Sequence, residues 1–360
     1  MPVQKITIQR FLEWKDRYPV LDVRSPGEYK HAHIPGAYSL PLFTDEERKV
    51  VGTAYKQQGK QPAIKIGLDY YGPKMTAMIG EVERLIKEHP TPYDTPTVIV
   101  HCWRGGMRSA GVAWLLDLYG FTVYTLTGGY KSFRRWCGQQ FIREYPFSVL
   151  GGLTGSGKTS ILHTLQKAGR LVVDLEELAA NRGSVFGHLG MPSPVTQEMF
   201  ENRLALSLSA AAAAADTTPG SRIWLEDESQ RIGPVNIPIT LYRYIQTKPL
   251  FFINIPFERR LDNLVRDYGQ LDKKELENGI LRLRKRLGGL ETKTALQCLE
   301  AGDIPGCFTQ LLKYYDKYYR KGLESKKQSL SSFEEIPSDT GVAADNAKIL
   351  LRMANPQTTV

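Results

Sequence analysis

Short apolar runs punctuated by turn residues recur along the first third of the chain. "YPVLDVRS" (18–25), bounded by Pro and Ser, predicts a strand. "HIPGAYSLPL" (33–42) carries Pro-Gly punctuation that leads into a second short strand. "TPTVIVHC" (95–102) places Val98, Ile99 and Val100 in succession, the pattern of a strand covered on both faces. "RSAGVAWLLDLYG" (108–120) changes to a helical period and closes on Gly120, after which "FTVYTLTGG" (121–129) returns to a strand. Alternation of this kind predicts an α/β fold with a parallel sheet.

Between 43 and 96 the pattern lapses. "GTAYKQQGKQPAIKIGLDYYGPK" shows no clean period, while "MTAMIGEVERLIKEH" (75–89) reads as a helix. We expect an insertion there, either packed on the sheet or offering a basic, aromatic surface. After a connection at 139–146, "FSVLGGLTGSGKTSILHTLQKAG" restarts the strand–loop–helix pattern and ends on Gly169. "RLVVDLE", "SRIWLEDES" and "PLFFINIP" predict further strands, and the Ala-rich stretch at 207–216 predicts the end of a helix. From Glu258 onward the chain reads as helical and basic, with "LLKYYDKYYRKGLESKKQ" mixing Tyr with Lys and Arg. The expected division is 1–138 for a first domain, 147–350 for a second, and a disordered tail at 351–360.

Composition narrows the class. The 360 residues are 42% hydrophobic and 24% charged, the balance of an ordinary globular protein, and their number suits two domains. No apolar run is long enough for a bilayer and the N-terminal stretch lacks the features of a secretory signal, so we expect a cytoplasmic protein without a membrane partner. A net charge of +9 favours polyanionic partners. The four cysteines, Cys102, Cys137, Cys298 and Cys307, form no Cys-x-x-Cys pair and have no histidine cluster, which argues against a zinc site. The last three are expected to be small buried hydrophobes.

Two loops carry candidate chemistry. Gly152, Gly157, Lys158 and Thr159 fit G-x-x-x-x-G-K-[ST], between a strand and an amphipathic helix. Together with Thr154, Gly155 and Ser156 they predict a diphosphate- or triphosphate-binding loop. Its backbone amides would cradle phosphate, Lys158 would neutralise it, and Thr159 is suited to ligating Mg2+. Asp174, Glu226, Asp227 and Glu228 lie at the ends of neighbouring predicted strands and are candidates to hold a metal or water; capping of the next helix is the alternative, and no metal is assigned firmly. The second loop, Trp103, Arg104, Gly105, Gly106 and Met107, follows Cys102 at the C-terminal end of a buried strand, where open α/β sheets bind ligands. Its amides, Arg104, Arg108 and the following helix N-terminus should all favour a nucleophilic thiolate at Cys102, and its glycines are read as facing a ligand rather than serving packing.

"LDVRSPGEYKHAHIPGAYSLPL", "VIVHCWRGGMRSAGVAWLL" and "LTGGYKSFRRW" together resemble the rhodanese family over about residues 5–137. The resemblance implies that Cys102 carries the transferred atom and that Asp22, Arg24, Glu28 and His33 are structural. Ala32 stands where that family often has Gly. Sulfur-transferring rhodaneses commonly have one residue fewer between Cys102 and Arg108; the spacing here is that of related phosphatases, whose larger loop fits a tetrahedral anion. The combination of that rhodanese-like domain with a P-loop domain, together with "GLTGSGKT", "NRGSVFGHLG" and "LEDESQRIGPVNIP", resembles the tRNA 2-selenouridine synthase family over nearly the whole chain. That resemblance implies a rhodanese-like parallel-sheet domain followed by a P-loop NTPase-like α/β domain with a helical C-terminal part. It further implies selenophosphate and geranyl diphosphate as co-substrates, the tRNA anticodon loop as partner, and a selenophosphate-producing enzyme as a second partner. In the P-loop a nucleotide or a tRNA phosphate is the alternative to geranyl diphosphate. Arg182, Gly183, Ser184 and Phe186 would line the diphosphate site. A Cys-x5-Arg phosphatase, a small-molecule kinase with an inert rhodanese domain, and an RNA-binding module are the alternatives.

Overall fold

A computed structural model describes residues 3–88, 96–181, 194–218 and 220–354, and the chain divides into two units, Met1–Gln140 and Phe141–Val360. The first is built on β1 (Gln4–Ile6), β2 (Val20–Asp22), β3 (Tyr38–Ser39), β4 (Thr97–His101) and β5 (Thr122–Leu126). They form one parallel sheet in the order β1-β5-β4-β2-β3. Every residue of β4 is buried, as a continuous apolar run requires when both faces of a parallel strand are covered. Each such valine or isoleucine contributes roughly 1.5–3 kcal/mol relative to exposure.

The helices of this unit are α1 (Ile8–Trp14), α2 (Pro26–His31), α3 (Asp45–Gln57), α4 (Lys60–Tyr71), α5 (Met75–Glu88), α6 (Met107–Tyr119) and α7 (Gly129–Gln140). The insertion that shows no clean period is therefore helical. Thr44 caps α3 through a capping box with Glu47, a local signal present in "TDEE". Gly59, at φ 95°, separates α3 from α4 and resets the helical phase, which blurs any single period. Met78, Val82 and Leu85 of α5 enter the core formed by Val98, Val100, Val112 and Leu116, so the insertion packs on the sheet. α7 runs through Gln140, into the stretch expected to be a connection from 139.

The second unit contains β6 (Phe147–Gly152), β7 (Leu171–Val172), β8 (Ile223–Glu226), β9 (Arg231–Ile232), β10 (Val235–Asn236), β11 (Leu250–Asn254) and β12 (Phe333–Pro337). Five of these make a parallel sheet in the order β12-β11-β6-β8-β7, and β9 pairs with β10 antiparallel. The helices are α8 (Lys158–Lys167), α9 (Leu175–Ala179), α10 (Gln197–Asp216), α11 (Ile239–Ile245), α12 (Phe257–Tyr268), α13 (Lys273–Leu287), α14 (Gly289–Glu300), α15 (Ile304–Lys327) and α16 (Ala343–Ala354). Helices α12 to α15 share their own core around Leu264, Leu283, Leu299, Phe308 and Leu312.

The C-terminal part is helical as expected, with one exception: β12 adds an edge strand beside β11, with Ile336 as its one fully buried residue. One expectation is corrected. Residues 351–354 belong to α16 rather than to a disordered tail, because Ala347 and Leu350 anchor that helix in the core beneath α8. Among the described residues no helix is long and apolar enough to cross a membrane.

Candidate functional site

In the first unit β4 ends on His101, and Cys102 begins the loop that leads into α6. The Cys102 sulfur accepts a hydrogen bond from the Gly106 amide at 3.3 Å and lies 3.3 Å from the Ser109 hydroxyl. Burial alone would raise its pKa, but hydrogen bonds from the Ser109 hydroxyl and amide and from the Gly106 and Arg104 amides outweigh it, and the thiol lies below its usual value. Ser109 was not singled out from the sequence; nothing marks it but its position one turn into the helix after the loop. By contrast, burial pushes the Cys307 thiol up to about 12. Cys137 and Cys307 are buried as expected, whereas Cys298 is only half-buried at the edge of the helical core.

Cys102 is 3% exposed, yet it forms part of the wall of an open cavity of about 820 Å3. Its ionisable side chains other than Cys102 and Tyr55 are Arg48, Lys49, Lys56, Lys60, Arg104 and Arg108, with no carboxylate among the described lining residues. Trp103 and Met107 complete the rim, Trp103 tilted against Tyr130 at 5.6 Å. Arg108 also donates to Glu28 at 2.7 Å, and Arg48 lies 3.6 Å from the same carboxylate, which is held below its ordinary pKa chiefly by Arg108 against the opposing cost of burial. Glu28 thus anchors the cationic wall as well as closing the capping box of α2.

Asp22 and Arg24 form a buried pair at 2.6 Å, and Arg24 also holds the Ala32 carbonyl and sits over the Tyr130 ring. His33 stacks on Tyr29. The reading of the loop glycines changes at one position. Gly105 has φ +65°, and a Cβ there would meet the Leu126 carbonyl at 2.6 Å and the Gly128 amide at 3.1 Å. It serves close backbone packing as well as loop curvature.

In the second unit β6 ends on Gly152 and the loop to Gly157 leads into α8. Gly155, at φ +82°, leaves no room for a Cβ, which would stand 2.6 Å from the Arg260 carbonyl. Arg260 is itself buried, paired with Asp316 at 2.7 Å, and donates to the Thr154 carbonyl, while Asn263 donates to the Gly155 carbonyl. Arg260 therefore braces the loop from behind, and Arg259 and Arg266 line the cavity beside Gly157. Ser156 turns inward onto the Leu153 carbonyl at 2.5 Å.

Lys158 donates to the Gly152 carbonyl at 3.2 Å and lies 3.5 Å from Glu226. The Thr159 hydroxyl is 3.0 Å from Glu176 and 3.1 Å from Glu226. Glu176, Glu226 and Glu228 bring carboxylate oxygens within 4.8 Å of one another. Burial and the neighbouring carboxylates push Glu226 up to about 7 and Glu228 well above its ordinary value, while Lys158 is raised by the same glutamates despite its burial. An all-oxygen donor set with a hydroxyl suits a hard divalent cation.

The other acids separate. Asp174 caps α9 by accepting from the Glu177 amide and pairs with His163 at 2.7 Å, so the capping alternative describes it. Glu176, two residues further on, is the carboxylate that reaches Thr159, and sequence reasoning passed it over. Asp227 is held by the Tyr319 hydroxyl at 2.6 Å and by Lys326. Arg182, Gly183, Ser184 and Phe186 lie outside the described residues.

Fold and loops together define a two-domain protein, a rhodanese-like domain with a cysteine cradle followed by a P-loop domain. Residues 7–135 match the rhodanese-like domain model, and residues 145–339 match that of the tRNA 2-selenouridine synthase AAA domain. The chain is 37% identical over 258 residues to a tRNA 2-selenouridine synthase of Pseudomonas putida (strain W619), covering 70% of this chain and 67% of that one. It is 38% identical over 255 residues to a tRNA 2-selenouridine synthase of Bordetella petrii, covering 69% and 64%. Among solved structures it is similar to the N-terminal domain of a putative ATP/GTP binding protein from Clostridium difficile 630, with 39% identity, 37% of this chain and 98% of that chain covered, and a TM-score of 0.34. The chain belongs to the tRNA 2-selenouridine synthase family. The match spans about two thirds of the length of these curated relatives.

Proposed function

We propose that the chain replaces the sulfur of wobble 2-thiouridine in tRNA with selenium from selenophosphate, through an S-geranyl intermediate made with geranyl diphosphate. The observation that carries this reading is the Cys102 sulfur in the wall of a cavity whose charged lining is wholly cationic. A soft nucleophile surrounded by guanidinium and ammonium groups suits a selenium-bearing anion. The names of the relatives support the same assignment.

In this reading the P-loop from Gly152 to Thr159 holds the diphosphate of geranyl diphosphate while the base sulfur takes the geranyl group and the C–O bond to diphosphate breaks. Thr159 with Glu176 and Glu226 would hold Mg2+, which supplies charge neutralisation for the leaving diphosphate. In the second step selenium attacks C2 of the base, and the C2–S bond breaks with its electron pair on sulfur. Geranylthiolate leaves and takes a proton, and water then releases phosphate from selenium. The loop amides, Arg104 and Arg108 orient the donor, and Cys102 assists loss of the thiolate.

The basic faces of the insertion and of α15 are the natural tRNA surface, since RNA loops are bound by charge and stacking. The α15 face is narrower than its sequence suggests. Tyr319 and Lys326 turn inward onto Asp227, leaving Lys313, Lys317, Tyr318 and Arg320 outward. A phosphatase reading lacks its general acid, because no carboxylate is among the described residues lining the cavity.

Mass spectrometry of tRNA nucleosides after incubation with selenophosphate and geranyl diphosphate tests the proposal. Appearance of 2-selenouridine with a transient S-geranyl species supports it. Unchanged nucleosides overturn it.

A further inference from the structure

Beside the Cys102 cavity lies a second space of about 220 Å3, of opposite character. The insertion and α6 wall it with Phe43, Val51, Ile64, Leu68, Met107 and Trp114. Among the described lining residues Arg108 alone is charged, and it sits on the wall common to both spaces, with Phe43, Val51, Tyr55 and Met107. The two are therefore adjoining compartments with a shared partition. Leu68 and Trp114 are 55% and 53% exposed, which leaves large apolar side chains in water on either side of the slot. An exposed apolar patch beside a polar site marks a surface shaped for a ligand or partner.

The sequence keeps this slot open. Gly67 stands in the interior of α4, where alanine would favour the helix, yet a Cβ there would reach Phe43 at 3.3 Å and any longer side chain would enter the space. A dry cavity of about 150 Å3 lined by aliphatic and aromatic side chains holds a benzene molecule, so this slot has room for a somewhat larger hydrocarbon.

We infer that the slot binds the hydrocarbon chain of an S-alkylated thio-base, with the base and the selenium-donating anion in the cationic cavity. The inference rests on the proposed function and deepens it: the geranyl group is held by the first unit during its departure. Charge complementarity selects the occupant. One compartment is apolar and the next is cationic, so the matching ligand is amphiphilic, with a chain at one end and a polar or anionic group at the other. A buried helix of a protein partner would leave the cationic compartment unmatched. The slot also gives the alkyl group a purpose in exchange. Binding energy from the chain places C2 of the base at the selenium donor, and the thiolate that leaves is already in an apolar seat.

The test is equilibrium binding of S-geranyl-2-thiouridine 5′-monophosphate to the full-length protein by calorimetry, with the S-methyl analogue as reference. The geranyl compound is expected to bind roughly a hundredfold more tightly, because the longer chain removes more apolar surface from water. Leu68→Glu and Ile64→Glu, at exposed positions that do not threaten folding, should each erase most of that preference, and Gly67→Leu should do the same by filling the slot. Lys158→Ala should leave it unchanged. Equal affinity for the two compounds, or a preference lost in Lys158→Ala but kept in Leu68→Glu, would overturn the inference. A concentration-dependent dimer that Leu68→Glu dissolves, with binding indifferent to chain length, would assign the patch to a second copy of the chain. The nucleoside assay separates the two claims: chain-dependent binding without selenium exchange keeps the slot and rejects the reaction.

Discussion

The cysteine cradle and the P-loop are built on the same plan and charged in opposite ways. Each follows a buried central strand of a parallel sheet, turns on a glycine with positive φ, and feeds the N-terminus of a helix. Around Cys102 the described ionic lining is cationic, and Glu28, which is not part of that lining, is tied to Arg108. Around Lys158 there are three glutamates, two of which resist ionisation. The first cradle is ready for an anion by itself. The second balances one lysine against several acids. Two loops of one plan thus differ in charge, and side chains contributed from other elements make the difference.

The two cradles can be removed one at a time. Cys102→Ser should reduce selenium incorporation by roughly 10³-fold or more while leaving S-geranylation in place, as read by nucleoside mass spectrometry; equal loss of both would mean the cradles do not act separately. Lys158→Ala should slow the geranyl step by about a hundredfold and spare selenium exchange on RNA that already carries the geranyl group. An unaltered geranylation rate would remove the P-loop from the reaction.

Charge supplies the next contrast. Glu226 lies near 7, so it is neutral below that pH and anionic above it. Mg2+ affinity should therefore rise by roughly tenfold between about pH 6 and 8, and Glu226→Gln should flatten the rise. Anion binding at the Cys102 cavity should not depend on this carboxylate, so Glu226→Gln should leave its pH profile unchanged. Titration calorimetry at several pH values decides it, and a pH-independent Mg2+ affinity would discard the glutamate site. The smallest effect concerns stability. Gly105→Ala should cost about 1–3 kcal/mol through positive φ and the clash with the Leu126 carbonyl, measured as a lower denaturation midpoint. Gly106→Ala, with nothing within 4 Å of its Cβ, should cost less.

What was legible in the sequence follows from distance along the chain. Both cradles are written in contiguous residues, and a strand, a glycine loop and a helix start can be read without knowing what lies across the sheet. The partners that set their charge come from elsewhere. Glu28 reaches Arg108 from 80 residues away, and Glu226 reaches Thr159 from 67. Glu176 was obscured by Asp174, which resembles a metal ligand by position but is consumed as a helix cap. The apolar slot could not be read at all, since Phe43, Leu68 and Trp114 come from three segments whose meeting is a tertiary fact. β12 escaped for a similar reason: "FEEIP" becomes a strand through pairing with β11, not through its own propensity.

That pairing has a consequence for how the protein is made. β11 and β12 are neighbours in the sheet, yet four helices separate them along the chain, and residues 339–343, just beyond β12, line the cavity beside Gly157. A ribosome that has delivered the P-loop must still polymerise well over a hundred residues before that wall exists. The nascent second unit therefore waits with an open sheet edge, and a chain cut short between α8 and β12 carries its phosphate loop but never encloses the pocket beside it.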